Sequence, residues 1–247
     1  MKVKSILVSQ PEPKVENSPY FDIQQKYKVK IDFRPFIHVE GVNAKEVRQQ
    51  KIDLNNFTSI ILTSKNSVDH YFRVAEEMRF KVPETMKYFC QSEAIAYYLQ
   101  KYVVYRKRKI YVGQKDFVDL SPLIKKFKDD TFLLPASDKL NDDVPQTLNN
   151  LGVNWTQGIF FRTAMSDLSD LADVKYDVLC FFSPTGINSL FKNFPDFVQD
   201  NTRIGVFGST TKKEAELFGL RVDIMAPTPE APSMTMAIEQ YLAKVNK

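Results

Sequence analysis

The sequence predicts an α/β protein with two similar lobes, in which helices flank parallel sheets. Short apolar segments alternate with helical ones along the whole chain, and two long segments resemble each other. The composition, 43% apolar and 26% charged residues, is that of an ordinary globular protein. A length of 247 residues allows one large domain or two small ones, and the internal similarity favours two.

Six apolar segments rich in β-branched and aromatic residues are predicted to be buried strands. In chain order they are Ser5–Ser9, Phe57–Thr63, Tyr88–Cys90, Thr131–Pro135, Asp177–Phe182 and Arg203–Phe207. A helical segment follows each strand, which is typical of a parallel sheet covered on both faces. Helix starts are predicted at Ser18 and Ser183, each followed by proline, and helix ends at Gly152 and Gly219.

The internal similarity relates SIILTSKNSVDHYF to DVLCFFSPTGINSLF, since each holds a strand, a serine and a helix. The two serines, Ser64 and Ser183, lie 119 residues apart. The next segments, YFCQSEAIAYYLQKYVVY and GVFGSTTKKEAELFGLRV, align Glu93 with Thr211 at an offset of 118, as strand, helix and strand. Two lobes of similar architecture are therefore expected.

A third pair of segments determines how the lobes are connected. The segment that ends at Gly152 resembles the N-terminal segment that ends at Lys28, 124 residues earlier. One lobe is therefore predicted to be discontinuous, formed by residues 1–38 and 163–247, with residues 39–162 inserted as the other lobe. A two-stranded β-ladder is expected to join the lobes, and the cleft between them is the expected ligand site.

Composition excludes several classes of function. With 8 glycines there is no GxGxxG or GxxxxGK[ST] phosphate loop, and a net charge of +4 is too small to indicate nucleic acid. Cys90 and Cys180 are far apart and the histidines are His38 and His70, so no metal site is expected. Without a signal peptide or a long apolar run, the chain is predicted to be cytoplasmic and not to contact membranes. A monomer is expected.

Hydroxyl side chains follow four of the predicted strands. They are Thr63-Ser64, Ser92, Ser183 with Thr185, and Ser209-Thr210-Thr211. Ligands bind beyond the carboxyl ends of parallel strands, where helix starts present unpaired N–H groups, so these places suit carboxylates. A serine or threonine at a helix start is more often only a cap, but the recurrence in both lobes favours a function.

Other candidate features favour structural roles. The basic run Arg106–Lys109, between strand-like YVVY and IYVG, is typical of a solvated hairpin tip rather than a phosphate-binding patch. The tyrosines around it are expected to pack a helix against a sheet, and His70 is expected to be a packing or surface residue. No Ser/His/Asp set and no GxSxG motif is present.

Several motifs, in their order along the chain, resemble the uroporphyrinogen-III synthase family. They are ILTSKNSV, LLPASDKL followed by LGVNW and FFRT, FFSPTGINSLF, and VFGSTTKKEAELFGLRV followed by APTPEAPSM. The resemblance covers nearly the whole chain and implies two α/β lobes joined by a β-ladder. It also implies a cofactor-free lyase of haem biosynthesis that cyclises hydroxymethylbilane, through a spiro intermediate, to uroporphyrinogen III, with loss of water and inversion of the last pyrrole ring.

The substrate implied by this resemblance carries many carboxylates, which suits the predicted helix starts. The predicted substrate-binding residues are Thr63, Ser64, Lys65, Ser92, Ser137, Asp138, Lys139, Ser183, Pro184, Thr185, Gly186, Gly208, Ser209, Thr210 and Thr211. No catalytic residue is assigned, because a family tyrosine implicated in the departure of the hydroxyl matches Phe161. Cys90 and Glu93 also stand where the family often has a glycine and a threonine.

Two alternative functions remain open. A catalytically impaired homologue would keep the fold and bind a tetrapyrrole or another polycarboxylate without turnover, as the missing hydroxyl at Phe161 suggests. An unrelated two-lobed sensor of a small carboxylated or phosphorylated ligand is the third hypothesis.

Overall fold

The computed structural model describes residues 2–140 and 142–246. The chain forms two compact units, the first comprising Met1–His38 and Ala164–Lys247 and the second Val39–Thr163. Among the described residues, no helix has both the length and the apolar character needed to cross a membrane.

Each unit contains its own sheet. The strands are β1 (Ser5–Val8), β2 (Lys30–Phe33), β3 (Ile37–Gly41), β4 (Ser59–Leu62), β5 (Lys87–Cys90), β6 (Ile110–Val112), β7 (Thr131–Ser137), β8 (Asn154–Met165), β9 (Val178–Phe181), β10 (Arg203–Phe207) and β11 (Val222–Ala226). The chain passes between the units in β3 and β8, which are neighbouring strands.

Helices follow most of the strands. They are α1 (Pro19–Tyr27), α2 (Ala44–Gln49), α3 (Lys65–Glu77), α4 (Glu93–Leu99), α5 (Ser121–Lys125), α6 (Asp143–Leu151), α7 (Pro184–Asn193), α8 (Ser209–Leu217) and α9 (Met234–Val245). The predicted α/β class, with parallel sheets flanked by helices, is therefore confirmed.

The two sheets share one strand plan. The first has the order β11-β10-β9-β1-β2 and the second has the order β6-β5-β4-β7-β8-β3. The strands from β11 to β2 are parallel, as are those from β6 to β8. The order along the chain reverses between β9 and β1, and between β4 and β7, and such switch points are where α/β sheets bind ligands.

Helices cover both faces of each sheet because side chains alternate along the buried strands. In β1, Ile6 and Val8 pack on the side of α1 and α9, whereas Leu7 packs on the side of α7 and α8. In β4, Ile60 belongs to the core under α3 and α4, whereas Ile61 belongs to the core with α5 and α6. Near-continuous apolar strands are the sequence signature of this arrangement.

The predicted helix boundaries are confirmed. Ser18 and Ser183 are the N-cap residues of α1 and α7. Gly152 and Gly219 have φ angles of 63° and 74° at the ends of α6 and α8, a region where glycine has no steric penalty. Lys28, the sequence counterpart of Gly152, also ends its helix in the left-handed region, with φ 54°.

The prediction of a strand at YVVY is wrong. Residues 102–105 are irregular, and the strand that pairs with β5 is β6, which begins at Ile110. Val104 is 80% exposed, and none of the described strands includes this segment. The basic residues Arg106, Lys107 and Arg108 are exposed in the loop before β6.

Candidate functional site

The predicted residues of the first unit lie at the carboxyl edge of its sheet. α7 follows β9 and α8 follows β10, and these two strands are neighbours. The first N–H groups of a helix have no partner within the helix and carry its positive dipole end. The two helix starts therefore present anion-attracting groups at the same edge.

The start of α7 is a capped helix N-terminus. Ser183 has extended backbone angles, and its Oγ accepts a hydrogen bond from the Gly186 N–H at 3.2 Å. Pro184 occupies the first helical position, where it has no N–H to leave unsatisfied. Capping uses a lone pair of the Ser183 hydroxyl, and its hydrogen is left for a further acceptor.

The start of α8 depends on glycine rather than on a side-chain cap. Gly208, the N-cap residue, has φ 89° and ψ 150°, a conformation that L residues rarely adopt. Thr211 in the first turn is 1% exposed, and among the described residues its hydroxyl has no hydrogen-bond partner. Ser209 and Thr210 are exposed. Thr211 is therefore a fixed hydroxyl whose hydrogen-bonding capacity is unused.

Ser9 also lies at this edge, although it is not among the residues predicted from the sequence. It follows β1, the neighbour of β9, and its backbone N–H donates to the Cys180 carbonyl at 3.0 Å. Its side chain is 8% exposed, and its Oγ lies 3.9 Å from where a Cβ on Gly186 would stand. The rule that selected the other serines, a hydroxyl directly after a buried strand, also applies to Ser9.

The second unit repeats the α7 start in α3. Ser64 has φ −155° and ψ 166°, and its Oγ accepts from the Ser67 N–H at 3.0 Å, while the Ser67 hydroxyl accepts from the Ser64 N–H. This reciprocal cap means that Ser64 has a structural role, as Ser183 does. Thr63, which precedes it, lines a cavity of about 600 Å³ with Gln91.

Lys65 is the cationic residue at the start of α3. Its ammonium lies 5.3 Å from the centre of the Tyr98 ring, and the Lys101 ammonium lies 4.0 Å from the same centre. The Tyr98 and Tyr102 hydroxyls donate to the two carboxylate oxygens of Asp69 at 2.8 and 2.7 Å. Tyr98 is therefore a fixed aromatic surface that holds Lys65 by a cation–π contact.

The start of α4 differs from the start of α8. Ser92 makes no side-chain capping bond, and Glu93, the first helical residue, is exposed and forms no ion pair among the described residues. The N-cap residues Ser92 and Gly208 lie 116 residues apart, so the alignment of Glu93 with Thr211 is wrong by two positions. α8 is two residues longer than α4, so the offset of 118 relates only their last residues, Leu99 and Leu217.

The predicted residues at the end of β7 form a tight turn. The Ser137 hydroxyl donates to the Lys139 carbonyl at 3.0 Å and accepts from the Lys139 N–H at 3.2 Å. Asp138 and Lys139 are exposed. β7 is the neighbour of β4, so this turn lies at the same sheet edge as Thr63.

Phe161 lies in the core of the second unit. It is 8% exposed and stacks on His70 with ring centres 5.1 Å apart. Burial and the nearby Arg73 charge lower the pKa of His70, and His70 Nδ1 accepts a hydrogen bond from Arg73 Nε at 3.1 Å. The expectation that His70 is a packing residue agrees with these contacts, which favour a neutral ring.

The described part of the chain contains neither an activated cysteine nor a cluster of side chains that could bind a metal ion. Cys90 and Cys180 are buried, and burial raises the pKa of each thiol to about 12, which disfavours the reactive thiolate. Within residues 2–140 and 142–246, no group of three His, Cys, Asp or Glu side chains could hold a metal ion.

Solved structures show the same fold. The uroporphyrinogen-III synthetase of Helicobacter pylori has a TM-score of 0.58 and 16% identity, and the match covers 98% of this chain and 99% of that one. A mutant uroporphyrinogen III synthase of Thermus thermophilus has a TM-score of 0.53 and 14% identity, with 98% and 99% covered.

The sequence comparisons extend over nearly the same length. The uroporphyrinogen-III synthase of Chlorobaculum parvum is 25% identical over 256 residues, which cover 97% of this chain and 100% of the relative. The family described as HEM4, uroporphyrinogen-III synthase HemD, matches residues 24–236. The chain therefore belongs to the uroporphyrinogen-III synthase HemD family.

Proposed function

We propose that this chain is an active uroporphyrinogen-III synthase of haem biosynthesis, a lyase that converts hydroxymethylbilane to uroporphyrinogen III without a cofactor. The reaction closes the linear tetrapyrrole, releases its hydroxyl group as water and inverts the last pyrrole ring. The observation that carries the proposal is the family match over residues 24–236.

The substrate's carboxylates are proposed to bind at the predicted residues of both units. In the first unit, Thr211 supplies a hydroxyl donor, and the starts of α7 and α8 supply backbone N–H groups. In the second unit, Lys65 supplies a full positive charge that Tyr98 holds in place. Hydrogen bonds to an ionised carboxylate are stronger than hydrogen bonds between neutral groups, so a few such bonds are enough to bind each carboxylate.

Catalysis is proposed to arise mainly from positioning. A flexible linear chain must bring its two ends together, and holding them in a reactive geometry supplies a large part of a barrier without strong acids or bases. Phe161 has no hydroxyl and is buried against His70. We therefore assign the proton for the departing hydroxyl to water or to a side chain other than Phe161.

The proposal is tested by incubating the purified chain with freshly generated hydroxymethylbilane and separating the product isomers. The expected result is a product rich in isomer III. A mixture no richer in isomer III than the spontaneous product would contradict the proposal.

A binding module is the second candidate function. The observation that favours it is the pair of departures at Phe161 and Glu93, the second of which leaves an exposed carboxylate at a helix start. This hypothesis predicts saturable binding of hydroxymethylbilane while its consumption stays at the spontaneous rate. Consumption that increases in proportion to protein concentration would exclude it.

A further inference from the structure

A groove of about 760 Å³ on the second unit is lined by four cationic side chains. Arg48 and Lys51 lie at the end of α2, and Arg79 and Lys81 lie just after α3. One carboxylate, that of Asp53, also lines the groove. A volume of this size is within the range of small-molecule sites.

The four cations have no partners among the described residues. None of them forms an ion pair or a side-chain hydrogen bond there, whereas Arg73 and Arg162 of the same unit pair with Glu77 and Glu46. Cations are favourable at helix ends, but each end carries only about half a negative charge. All four side chains are exposed to solvent, and after both helix ends and Asp53 are counted, about two positive charges have no counter-charge within the groove.

Apart from the polar Asn55, the remainder of the lining is apolar. Ile52 and Leu54 are buried, and Met78 and Phe80 are half-buried beside Pro83. A purely inorganic anion would use the cations and leave the accessible parts of Met78, Phe80 and Pro83 against water. A ligand with an apolar body and several anionic groups would complement both parts of the lining.

The groove is at the opposite edge of the sheet from the candidate site. Residues 52–55 precede β4 and residues 78–83 precede β5, whereas Thr63 and Gln91 follow those two strands. The proposed synthase reaction therefore does not use the groove.

We propose that this groove binds a small organic anion that carries two or more carboxylate or phosphate groups on an apolar body. The cations bind the anionic groups, and the apolar lining, including Phe80, which stands between Arg79 and Lys81 in the sequence, contacts the body. This binding does not depend on synthase activity.

The test measures binding of two probes by titration calorimetry, with the full chain in each case. Naphthalene-1,4,5,8-tetracarboxylate supplies carboxylates on a flat apolar ring, and ATP supplies phosphates on an aromatic base. We expect at least one probe to bind the wild type saturably, and the probe that binds identifies the anionic group. Failure of both probes to bind would overturn the proposal.

Glycine variants remove two of the cations without backbone strain. Lys51 and Arg79 have φ angles of 61° and 56°, where glycine is favoured, so the double variant Lys51→Gly, Arg79→Gly is expected to fold. Its probe affinity should fall at least tenfold. Lys28→Gly is the matched control, since Lys28 has φ 54° in the first unit, and it should leave the affinity unchanged.

A second pair of substitutions protects the test against misfolding. Arg48→Gln with Lys81→Gln removes the other two charges at ordinary backbone angles and should weaken the same probe at least tenfold. Unchanged affinity in the folded variants would overturn the proposal, as would an equal loss in Lys28→Gly. If the wild-type chain showed no synthase activity, the probe-binding result would still stand. The proposed function and the proposed groove can therefore be contradicted independently.

Discussion

The carboxyl edges of the two sheets share a strand plan but differ in how their second helix begins. α8 starts at Gly208 with φ 89° and has no acidic residue in its first turn, whereas α4 starts at Ser92 and carries Glu93 at once. The first unit therefore offers anions backbone N–H groups and a buried hydroxyl. The second unit has a lysine held against Tyr98 and a carboxylate in the first turn of α4. The carboxylate sites proposed for the two units therefore use different donors.

The largest expected difference is between the two equivalent N-cap residues. Gly208→Ala forces an L side chain into a disfavoured conformation and should cost about 1–3 kcal/mol of unfolding free energy, with at least a tenfold loss of synthase activity. Ser92→Ala removes no capping bond and should change stability by about 0.5 kcal/mol or less. Urea unfolding compares the two, and equal destabilisation would contradict the distinction.

The buried hydroxyl of the first unit gives the next largest effect. Thr211→Val keeps the shape but removes the proposed hydrogen bond to a substrate carboxylate, a bond to a charged group worth about 1.5–3 kcal/mol. The expected result is a KM for hydroxymethylbilane raised about tenfold or more. The control is Thr211→Ser, which keeps the hydroxyl and should keep the KM close to that of the wild type; an equal KM in Thr211→Val and Thr211→Ser would remove Thr211 from the site.

Positioning of Lys65 should have a moderate effect on substrate binding. Tyr98→Leu removes the aromatic surface, and KM should rise severalfold with little change in kcat, because a cation–π contact is worth about 0.5–2 kcal/mol. In a Lys65→Ala background the same change should have no further effect on KM. Lys101→Ala, which removes the other cation on that ring, is the control, and a KM shift equal to that of Tyr98→Leu would contradict the assignment.

The exposed carboxylate of the second unit should have a smaller, opposite effect. Glu93→Gln removes a negative charge at a helix start and should lower KM about twofold to fivefold at low salt, because exposed charge interactions are worth about 0.2–1 kcal/mol. Screening should abolish the difference at high salt. A higher KM in Glu93→Gln would show that this carboxylate assists binding.

The smallest expected effect is a pH dependence of the free energy of unfolding that arises from His70 in the second unit. Burial and Arg73 lower the pKa of His70 in the folded chain, so below about pH 6.5 the unfolded chain binds the proton more readily. Stability should therefore fall as the pH drops from 7 to 5. Thermal unfolding of His70→Gln should show a weaker fall over this range, and identical pH profiles would contradict the role of His70.

The features predicted correctly from the sequence are those that one residue type determines within its own segment of the chain. Buried strands, the serine caps of α3 and α7, and the glycine ends of α6 and α8 all follow from such signals. The substrate-binding residues and the assignment of the two units as lobes with a border at residue 163 stay predictions.

The features that the sequence did not reveal depend on tertiary context. The apolar segment YVVY resembles a strand but has no neighbouring strand, and the contacts of Lys65 with Tyr98 join two helices. The sequence did not show that α8 is two residues longer than α4, because the two helical segments align equally well at their first or at their last residues. Ser9 is a different case, since the strand-end rule would have found it.

The most direct test of the central claim compares native and heat-unfolded chain at the same concentration with freshly generated hydroxymethylbilane. The fraction of isomer III among the cyclic products is measured over time. Native chain is predicted to give mainly uroporphyrinogen III, and unfolded chain is predicted to give the spontaneous mixture. The same isomer composition in both reactions would contradict the proposed function.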